Sequence, residues 1–173
     1  AQAFMQQYGL PTALAGTFSD PAEASRFAAV FGGRVAVKAD GLALGKGVIV
    51  CKDMAEADAA IGEVLVKKSF GAAGHKVVIQ EKLEGMEISL HAICDGRTAR
   101  MFPTSQDHKR AFDGDEGPNT GGMGTYSPTP FLNGPELEST QHKILDPWVR
   151  GCQVEGIDFR GILYPGIMLT KDG

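Results

Sequence analysis

The sequence predicts an α+β protein in two lobes, residues 1–80 and 81–173, with helices laid over antiparallel or mixed β-sheet. Three observations support this fold class. Capped amphipathic segments indicate helices, and short β-branched runs separated by glycine-rich turns indicate strands. A hinge-like stretch at 80–85 indicates where the lobes meet.

Two helices are predicted from N-terminal capping boxes, because Asp20 and Asp53 are each followed three residues later by Glu. Both helices are expected to cover a sheet. Their inward faces, at helical spacing, are Ala24, Phe27, Ala28 and Phe31 in the first and Ala57, Ile61, Val64 and Leu65 in the second.

Three strands are predicted at 34–39, 47–51 and 76–83, where β-branched residues are concentrated. Apolar residues then alternate over 88–94, and the turn dipeptide Asp95-Gly96 leads into a further strand. A hairpin with one buried face is therefore expected.

Later elements are less regular. A third helix is predicted over about 135–155, with a kink or restart at Pro147. Residues 161–170 predict a strand, and its partner is expected beyond the turn residues 171–173.

Composition narrows the class of protein. With 43% hydrophobic and 22% charged residues the balance is that of a globular chain, and a net charge of −4 argues against nucleic acid as a partner. No apolar run approaches the roughly 20 residues that span a bilayer, so a cytoplasmic protein without membrane contact is expected. Three cysteines in apolar segments are expected to be buried thiols.

The first candidate site is the glycine-rich stretch 37–48, with Lys38 near one end and Lys46 near the other. It lies between two predicted strands, whereas a P-loop opens a helix. Glycines allow backbone amides to close over phosphates, and two ammonium groups can neutralise phosphate charge. A nucleotide lid is the functional interpretation, and a plain hairpin with surface lysines is the alternative.

The second candidate site is the strand end at 77–87. A peptide edge after an apolar strand can pair with adenine, and the carboxylate of Glu87 can accept hydrogen bonds from ribose hydroxyls. A strand that ends in solvated charges is the alternative.

The third candidate site lies in residues 103–130, which hold five glycines and four prolines and are predicted to form a long loop. An amide nest at 120–122 with Lys109 and Arg110 would suit an anionic substrate. A mobile surface loop is the alternative.

Taken together, these sites form a pattern that extends over nearly the whole chain. Its members are Lys38-Ala39-Asp40-Gly41-Leu42-Ala43 with Gly45-Lys46-Gly47, Phe70-Gly71, Leu83-Glu84-Gly85 with Glu87, Gln106-Asp107-His108-Lys109-Arg110, Gly117 to Gly124 with Tyr126-Ser127-Pro128, and Gly161 with Leu163-Tyr164 and Gly166. In order and spacing they resemble the phosphoribosylamine-glycine ligases, a family of the ATP-grasp superfamily. The stretch from Pro118 to Gly124 is the most specific part of the resemblance.

The resemblance implies an ATP-grasp fold with a small lid lobe and a central lobe, and ATP and Mg²⁺ as cofactors. It implies ligation of glycine to 5-phosphoribosylamine through a glycyl phosphate, in purine biosynthesis. Lys38 and Lys46 would be the catalytic lysines. The implied ATP contacts are Lys38, Gly45, Lys46, Gly47, Gln80, Glu81, Lys82, Leu83 and Glu87. The implied acceptor contacts are Asp107, Lys109, Arg110, Asn119, Thr120, Gly121 and Gly122.

The chain departs from the family pattern at Leu44, Gln80 and Met86. ATP binding is expected to survive the changes at Gln80 and Met86, because they lie next to hinge contacts made largely by the backbone. The resemblance places the magnesium ligands beyond Gly173, and the N-terminal and C-terminal domains of the family outside the sequence. The chain alone is therefore expected to lack ligase turnover, and the full-length protein is expected to be a monomer.

Two other functions stay open at this point. One is an ATP-grasp ligase that joins a different acid or amine. The other is a nucleotide-binding module without catalysis.

Overall fold

A computed structural model describes residues 1–41, 47–114 and 116–171, with the backbone alone at Asn119. The chain divides into two compact units. The first unit is Ala13–Leu83, and the second unit is Ala1–Thr12 together with Glu84–Gly173. The predicted lobes differ from these units by the first twelve residues and by three residues at the boundary.

The helices are short, and two of them continue into wider π-helical turns. They are α1 Gln2–Gln7, α2 Pro21–Ala29, α3 Met54–Ile61, α4 Gly134–Thr140 and α5 Asp146–Val154. The π-helical turns are Gly62–Val66 after α3 and Gln141–Leu145 between α4 and α5, and Gly71–His75 is a 3₁₀-helix. No helix in the described ranges is long and apolar enough to cross a membrane.

The described strands pair in antiparallel fashion throughout. They are β1 Ala15–Phe18, β2 Val35–Ala39, β3 Val48–Val50, β4 Val77–Glu81, β5 Met86–Ser89, β6 Ala92–Asp95, β7 Ala99–Met101, β8 Gln106–Asp107, β9 Arg110–Phe112, β10 Glu116–Asn119, β11 Thr125–Tyr126, β12 Arg160–Leu163 and β13 Gly166–Leu169.

The first unit is a four-stranded sheet in the order β1-β4-β2-β3, covered on one face by α2 and α3. Alternation along the strands sends Val35, Val37, Val77 and Ile79 into the core, where all four are fully buried. The predicted inward residues of α2 and α3 pack against them. The helix faces and the three predicted strands of this unit are confirmed.

The predicted capping boxes form only in part. Asp20 and Asp53 each accept a hydrogen bond of 2.9 Å from the backbone N–H three residues on. The return bond of the second box is missing, because Glu56 accepts from the N–H of Lys52 instead. A complete box forms at the start of α4, between Asn133 and the Glu three residues later, where the sequence analysis predicted none.

In the second unit, the predicted hairpin at Asp95-Gly96 is confirmed as β6 and β7. The carboxylate of Asp95 accepts from the N–H groups of Arg97 and Thr98, and Gly96 has a φ of +90° that favours glycine. The alternating apolar residues over 88–94 are buried, as predicted.

The expectation that strand 161–170 lacks a partner within the chain is wrong. This segment is two strands separated by Tyr164 and Pro165. β12 pairs with β6, and β13 pairs with β5, so both strands return to the 86–95 region. Pro165 explains the interruption, because a proline has no N–H for the ladder.

Residues 103–130 are also more ordered than the predicted loop. β8 pairs with β11, and β9 pairs with β10 between them, so one short hairpin lies inside another. We call residues 106–126 the flap. The strands are only two to four residues long, which is why periodicity did not indicate them.

One strand and one α-helix had no sequence prediction. β1 adds to the outer edge of β4, and α1 packs on α5. A Cβ at Gly151 of α5 would lie 2.6 Å from the ring of Phe4 and 2.7 Å from that of Tyr8, so glycine permits this close approach. The Tyr8 hydroxyl also donates to Glu155 at 2.5 Å.

Candidate functional site

The candidate lysine of the first unit lies on the sheet face opposite the core. Because Val35 and Val37 point into the core, Lys38 on the same strand points away from it. Lys38 is directly opposite Val78 on β4, and Gln80 is two residues further along that strand. The two side chains therefore share a face, and the ammonium of Lys38 donates to the Gln80 amide oxygen.

Burial lowers the pKa of Lys38. Its hydrogen-bond partner, Gln80, is a neutral amide and supplies no opposing charge. Within the described ranges Lys38 forms no ion pair. An anionic ligand stabilises the charged form of a half-buried lysine that has no carboxylate beside it, because the ligand offsets the hydration lost on burial.

Apolar side chains lie beside this lysine on the same face. Val48 of β3 is opposite Lys38, Val50 is opposite Ala36, and both valines are at least half exposed. An apolar surface with one cation suits a ligand that has a flat hydrophobic part and a charged part.

The predicted lid connects two neighbouring strands. Gly45 and Lys46 lie outside the described residues. Gly47, at the end of the lid, is buried, and its carbonyl accepts from the N–H of Ala39 at 2.9 Å. The flanking strands β2 and β3 are antiparallel neighbours, as a strand-to-strand lid requires.

The hinge residues take part in the sheet more fully than the sequence indicated. The N–H of Glu81 donates to Leu14 at 2.8 Å, and the N–H of Lys82 donates to Arg34 at 3.2 Å. The Glu81 carboxylate accepts from the N–H of Leu14 at 3.3 Å. These two amides are thus engaged within the protein, and the half-buried Leu83 ends the unit.

In the second unit, two residues predicted for different ligands form an ion pair. Glu87, expected to bind ribose, lies on β5 and contacts the ammonium of Lys109, which was expected to bind the acceptor. The side chains are 51% and 41% exposed, respectively. Both remain accessible to a ligand.

The turn at Thr120 holds the backbone of Lys109. The N–H and the hydroxyl of Thr120 both donate to the Lys109 carbonyl, at 2.6 and 2.9 Å. The same hydroxyl accepts from the N–H of Gly122 at 3.1 Å. Two of the three amides in the predicted 120–122 nest are therefore already bonded inside the flap.

The other flap residues occupy different parts of it. Asp107 of β8 lies against Gly122, where an added Cβ would be 3.0 Å from its carboxylate. Arg110 donates to the Gly117 carbonyl at 2.7 Å. Gly121 is exposed. The backbone of Asn119 is opposite Arg110 in the β9–β10 pair.

The structure thus brings predicted residues together in two groups. In the first unit, Lys38 contacts Gln80. In the second unit, the group consists of Glu87, Lys109, Thr120, Gly122 and Asp107. Sequence reasoning missed Gln106 and Tyr126 as parts of the site. Gln106 donates to the Glu87 carbonyl at 3.2 Å, and Tyr126 donates to Gln106 at 2.9 Å. Two-residue strands give no periodic signal that could have indicated them.

The three cysteine thiols are free and buried, as predicted. Among the residues that the structure describes, no three His, Cys, Asp or Glu side chains come together as metal ligands.

An antiparallel sheet with one helix-covered face, a lysine on the other face and a glycine-rich strand-to-strand connection agree with the ATP-grasp domain that the sequence resembles. The chain belongs to the family of the phosphoribosylglycinamide synthetase ATP-grasp (A) domain, whose sequence model matches residues 1–173.

Comparisons with known proteins agree with this family. The phosphoribosylamine-glycine ligase of Caulobacter vibrioides is 51% identical over 170 residues, which cover 98% of this chain and 40% of that protein. The crystal structure of phosphoribosylamine-glycine ligase from Thermotoga maritima superposes with a TM-score of 0.87 at 34% identity, over 98% of this chain and 43% of that one. The chain therefore spans about 40% of the length of its curated relatives.

A more distant structure shows the same fold. The biotin carboxylase domain of Hydrogenobacter thermophilus 2-oxoglutarate carboxylase, solved with MgADP, has a TM-score of 0.71 at 18% identity, over 99% of this chain and 36% of that one.

Proposed function

We propose that this chain supplies the ATP-binding part of a phosphoribosylamine-glycine ligase. The enzyme would join glycine to 5-phosphoribosylamine and release glycinamide ribonucleotide, ADP and phosphate, as a step of de novo purine biosynthesis. The observation that carries the proposal is the match of all 173 residues to the family. The 51% identity with the Caulobacter vibrioides ligase supports it.

The chemistry explains why ATP is needed. A carboxylate is a poor electrophile, so in the proposed reaction the glycine carboxylate oxygen attacks the terminal phosphorus of ATP and ADP leaves. The amine of phosphoribosylamine then attacks the acyl carbon of the glycyl phosphate. The carbon–oxygen bond breaks, phosphate leaves and the amine loses a proton. Phosphoryl transfer of this kind requires cations around the phosphate oxygens.

We assign the phosphates and the adenine of ATP to the open face of the first unit. Lys38 would contact the phosphates, since burial lowers its pKa and no carboxylate among the described residues forms an ion pair with it. Lys46, with Gly45 and Gly47, would close over the phosphates. Residues 80–83 would lie beside adenine, and Glu87 would accept from ribose. The ADP in the biotin carboxylase domain supports a nucleotide in this fold.

The acceptor substrates are assigned to the flap. Asp107, Arg110, Asn119, Gly121 and Gly122 would contact phosphoribosylamine or glycine. Arg110 would do so while its guanidinium also donates to the Gly117 carbonyl, because a guanidinium has five N–H donors.

Magnesium has no ligand set in the part of the chain that the structure describes. The ion commonly keeps several waters and binds through one or two carboxylates plus substrate phosphates. On the resemblance to the family, we assign its protein ligands to sequence beyond Gly173.

The proposal includes a cytoplasmic, monomeric enzyme that acts on small molecules. Three free, buried thiols suit the reducing cytoplasm.

The test is an assay of the full-length gene product that contains this chain. We expect ADP release that requires both glycine and phosphoribosylamine, and a product with the mass of glycinamide ribonucleotide. Hydroxylamine added to the complete reaction should divert part of the glycyl phosphate to glycine hydroxamate, because acyl phosphates react with it.

The controls separate the alternatives. ADP release with a different acid or amine would indicate another ATP-grasp ligase. ATP binding without ADP release under any of these conditions would indicate a binding module and contradict the proposed activity.

A further inference from the structure

The flap contacts Glu87, which the proposed function assigns to the ribose of ATP, at two points. Lys109 forms an ion pair with one oxygen of Glu87, Oε1, and Gln106 donates to the backbone carbonyl of the same residue. Tyr126 in turn donates to Gln106 at 2.9 Å. Glu87 is therefore held from the flap through both its side chain and its backbone.

Its other carboxylate oxygen, Oε2, accepts no hydrogen bond from the described residues. A carboxylate bound at one oxygen by an ammonium keeps the second oxygen available, in an orientation that the ion pair restricts. A vicinal diol is a suitable ligand for such an oxygen, because each hydroxyl is a donor.

Lys109 depends on Thr120 for its own position. A lysine side chain has four rotatable bonds and a high rotamer entropy, so an ion pair at a half-exposed site is weak unless the backbone that carries it is held. Here the two donors of Thr120 hold the Lys109 carbonyl, and Gly122 donates back to the Thr120 hydroxyl.

We propose that Thr120 is a positioning residue for the nucleotide, acting through Lys109 on Glu87, and not a residue that contacts the acceptor. The Thr120 hydroxyl fixes the Lys109 backbone. The Lys109 ammonium then orients Glu87 so that Oε2 faces the 2′,3′-diol of a nucleoside triphosphate. The inference rests on the proposed function, because it takes Glu87 as the ribose ligand.

The experiment compares the dissociation constants of ATP and 2′,3′-dideoxy-ATP by calorimetry in the full-length gene product. The dideoxy compound lacks both hydroxyls, so the ratio of the two constants reports on the diol contact alone. Thr120→Val removes the hydroxyl but keeps the shape and the backbone N–H. Thr120→Ser restores the hydroxyl.

We expect wild type to prefer ATP, and Thr120→Val to weaken ATP binding by about fivefold with little change for the dideoxy compound. Thr120→Ser should recover the preference. In a Lys109→Met background, Thr120→Val should have no further effect, because no ammonium remains to connect Thr120 with Glu87.

Thr140→Val is the matched control. The Thr140 hydroxyl also donates to a backbone carbonyl, that of Glu136 at 2.8 Å, but in α4 and outside the flap. It should leave both nucleotide constants unchanged, which shows that losing a threonine hydroxyl bond elsewhere has no effect.

Failure of the proposed function and failure of this inference alone give different results. A wild-type protein that does not bind ATP would overturn the proposed function, and this inference with it. A wild-type preference for ATP that Thr120→Val leaves intact would overturn the inference alone, and a rise in the KM of glycine or phosphoribosylamine in that variant would assign Thr120 to the acceptor.

Discussion

The two units hold their candidate residues by different means. In the first unit, Lys38 lies on a strand with a neighbour on each side, so its direction follows from the register of a four-stranded sheet. In the second unit, Lys109 lies between strands of two and three residues, and hydrogen bonds from Thr120 hold its backbone. We therefore expect the backbone at Lys38 to tolerate the loss of a single side-chain bond better than the backbone at Lys109 does.

The first prediction tests how rigid the first unit is, and it has the largest expected effect. Gly33 has a φ of +79°, and an added Cβ would lie 2.2 Å from the backbone at Asp53 and Met54, where α3 begins. Gly33→Ala should lower the free energy of unfolding by about 2–4 kcal/mol, through overpacking and backbone strain. Hydrogen exchange of the buried β2 and β4 amides measures this loss.

Gly32→Ala is the control for this prediction. Gly32 also has a positive φ, +62°, but nothing lies within 4 Å of the added Cβ. Its cost should be about 1 kcal/mol, from backbone strain alone. Equal losses of unfolding free energy in Gly33→Ala and Gly32→Ala would show that the close approach of Gly33 to the start of α3 adds nothing to the cost.

The second prediction concerns charge on the open face. Lys38→Met should raise the dissociation constant of ATP at least about tenfold, because it removes a half-buried cation from the proposed phosphate site. Lys68→Met, at an exposed lysine after α3, should change it less than about twofold. Titration calorimetry of the full-length gene product compares the two, and similar constants would contradict the assignment of Lys38.

The third prediction tests the flap with a glycine. Gly122 has a φ of +121°, and an added Cβ would lie 3.0 Å from the Asp107 carboxylate. Gly122→Ala should cost about 1 kcal/mol and speed the exchange of flap amides, while the β2 and β4 amides keep their protection. Gly121→Ala, with open space around its Cβ, is the control. If the β2 and β4 amides also lost protection from exchange in Gly122→Ala, the prediction that its effect stays within the flap would be contradicted.

The smallest expected effect concerns the neutral partner of Lys38. Because burial lowers the pKa of Lys38, the unfolded chain binds more protons there between the lowered pKa and that of a free lysine. Stability should therefore rise with pH through that window. Gln80→Glu places a carboxylate beside the ammonium, so it should raise the pKa of Lys38 and reduce this rise.

Nitrogen NMR of the Lys38 ammonium measures the pKa directly, and urea unfolding between about pH 8 and 11 measures the linked stability. An unchanged pKa in Gln80→Glu would mean that the two side chains do not interact in solution. Gln80→Asn adds no charge beside Lys38 and serves as the control.

Sequence alone determined the features that depend on near neighbours in the chain. The inward faces of α2 and α3 followed from spacing, and the β6–β7 turn followed from Asp95-Gly96, because these signals act within a few residues. The lysine at one end of a glycine-rich, strand-to-strand connection was also visible. The family followed from the order of such short motifs along the chain.

Tertiary structure alone decided the features that join distant segments. The pairing of β1 with β4, the return of 160–169 to the 86–95 region and the contact of Lys109 with Glu87 each connect residues more than 20 positions apart. Antiparallel strands carry no local mark of which partner they take. The choice depends on how much apolar surface each register buries and on which polar groups it satisfies, and both quantities exist only when the segments meet.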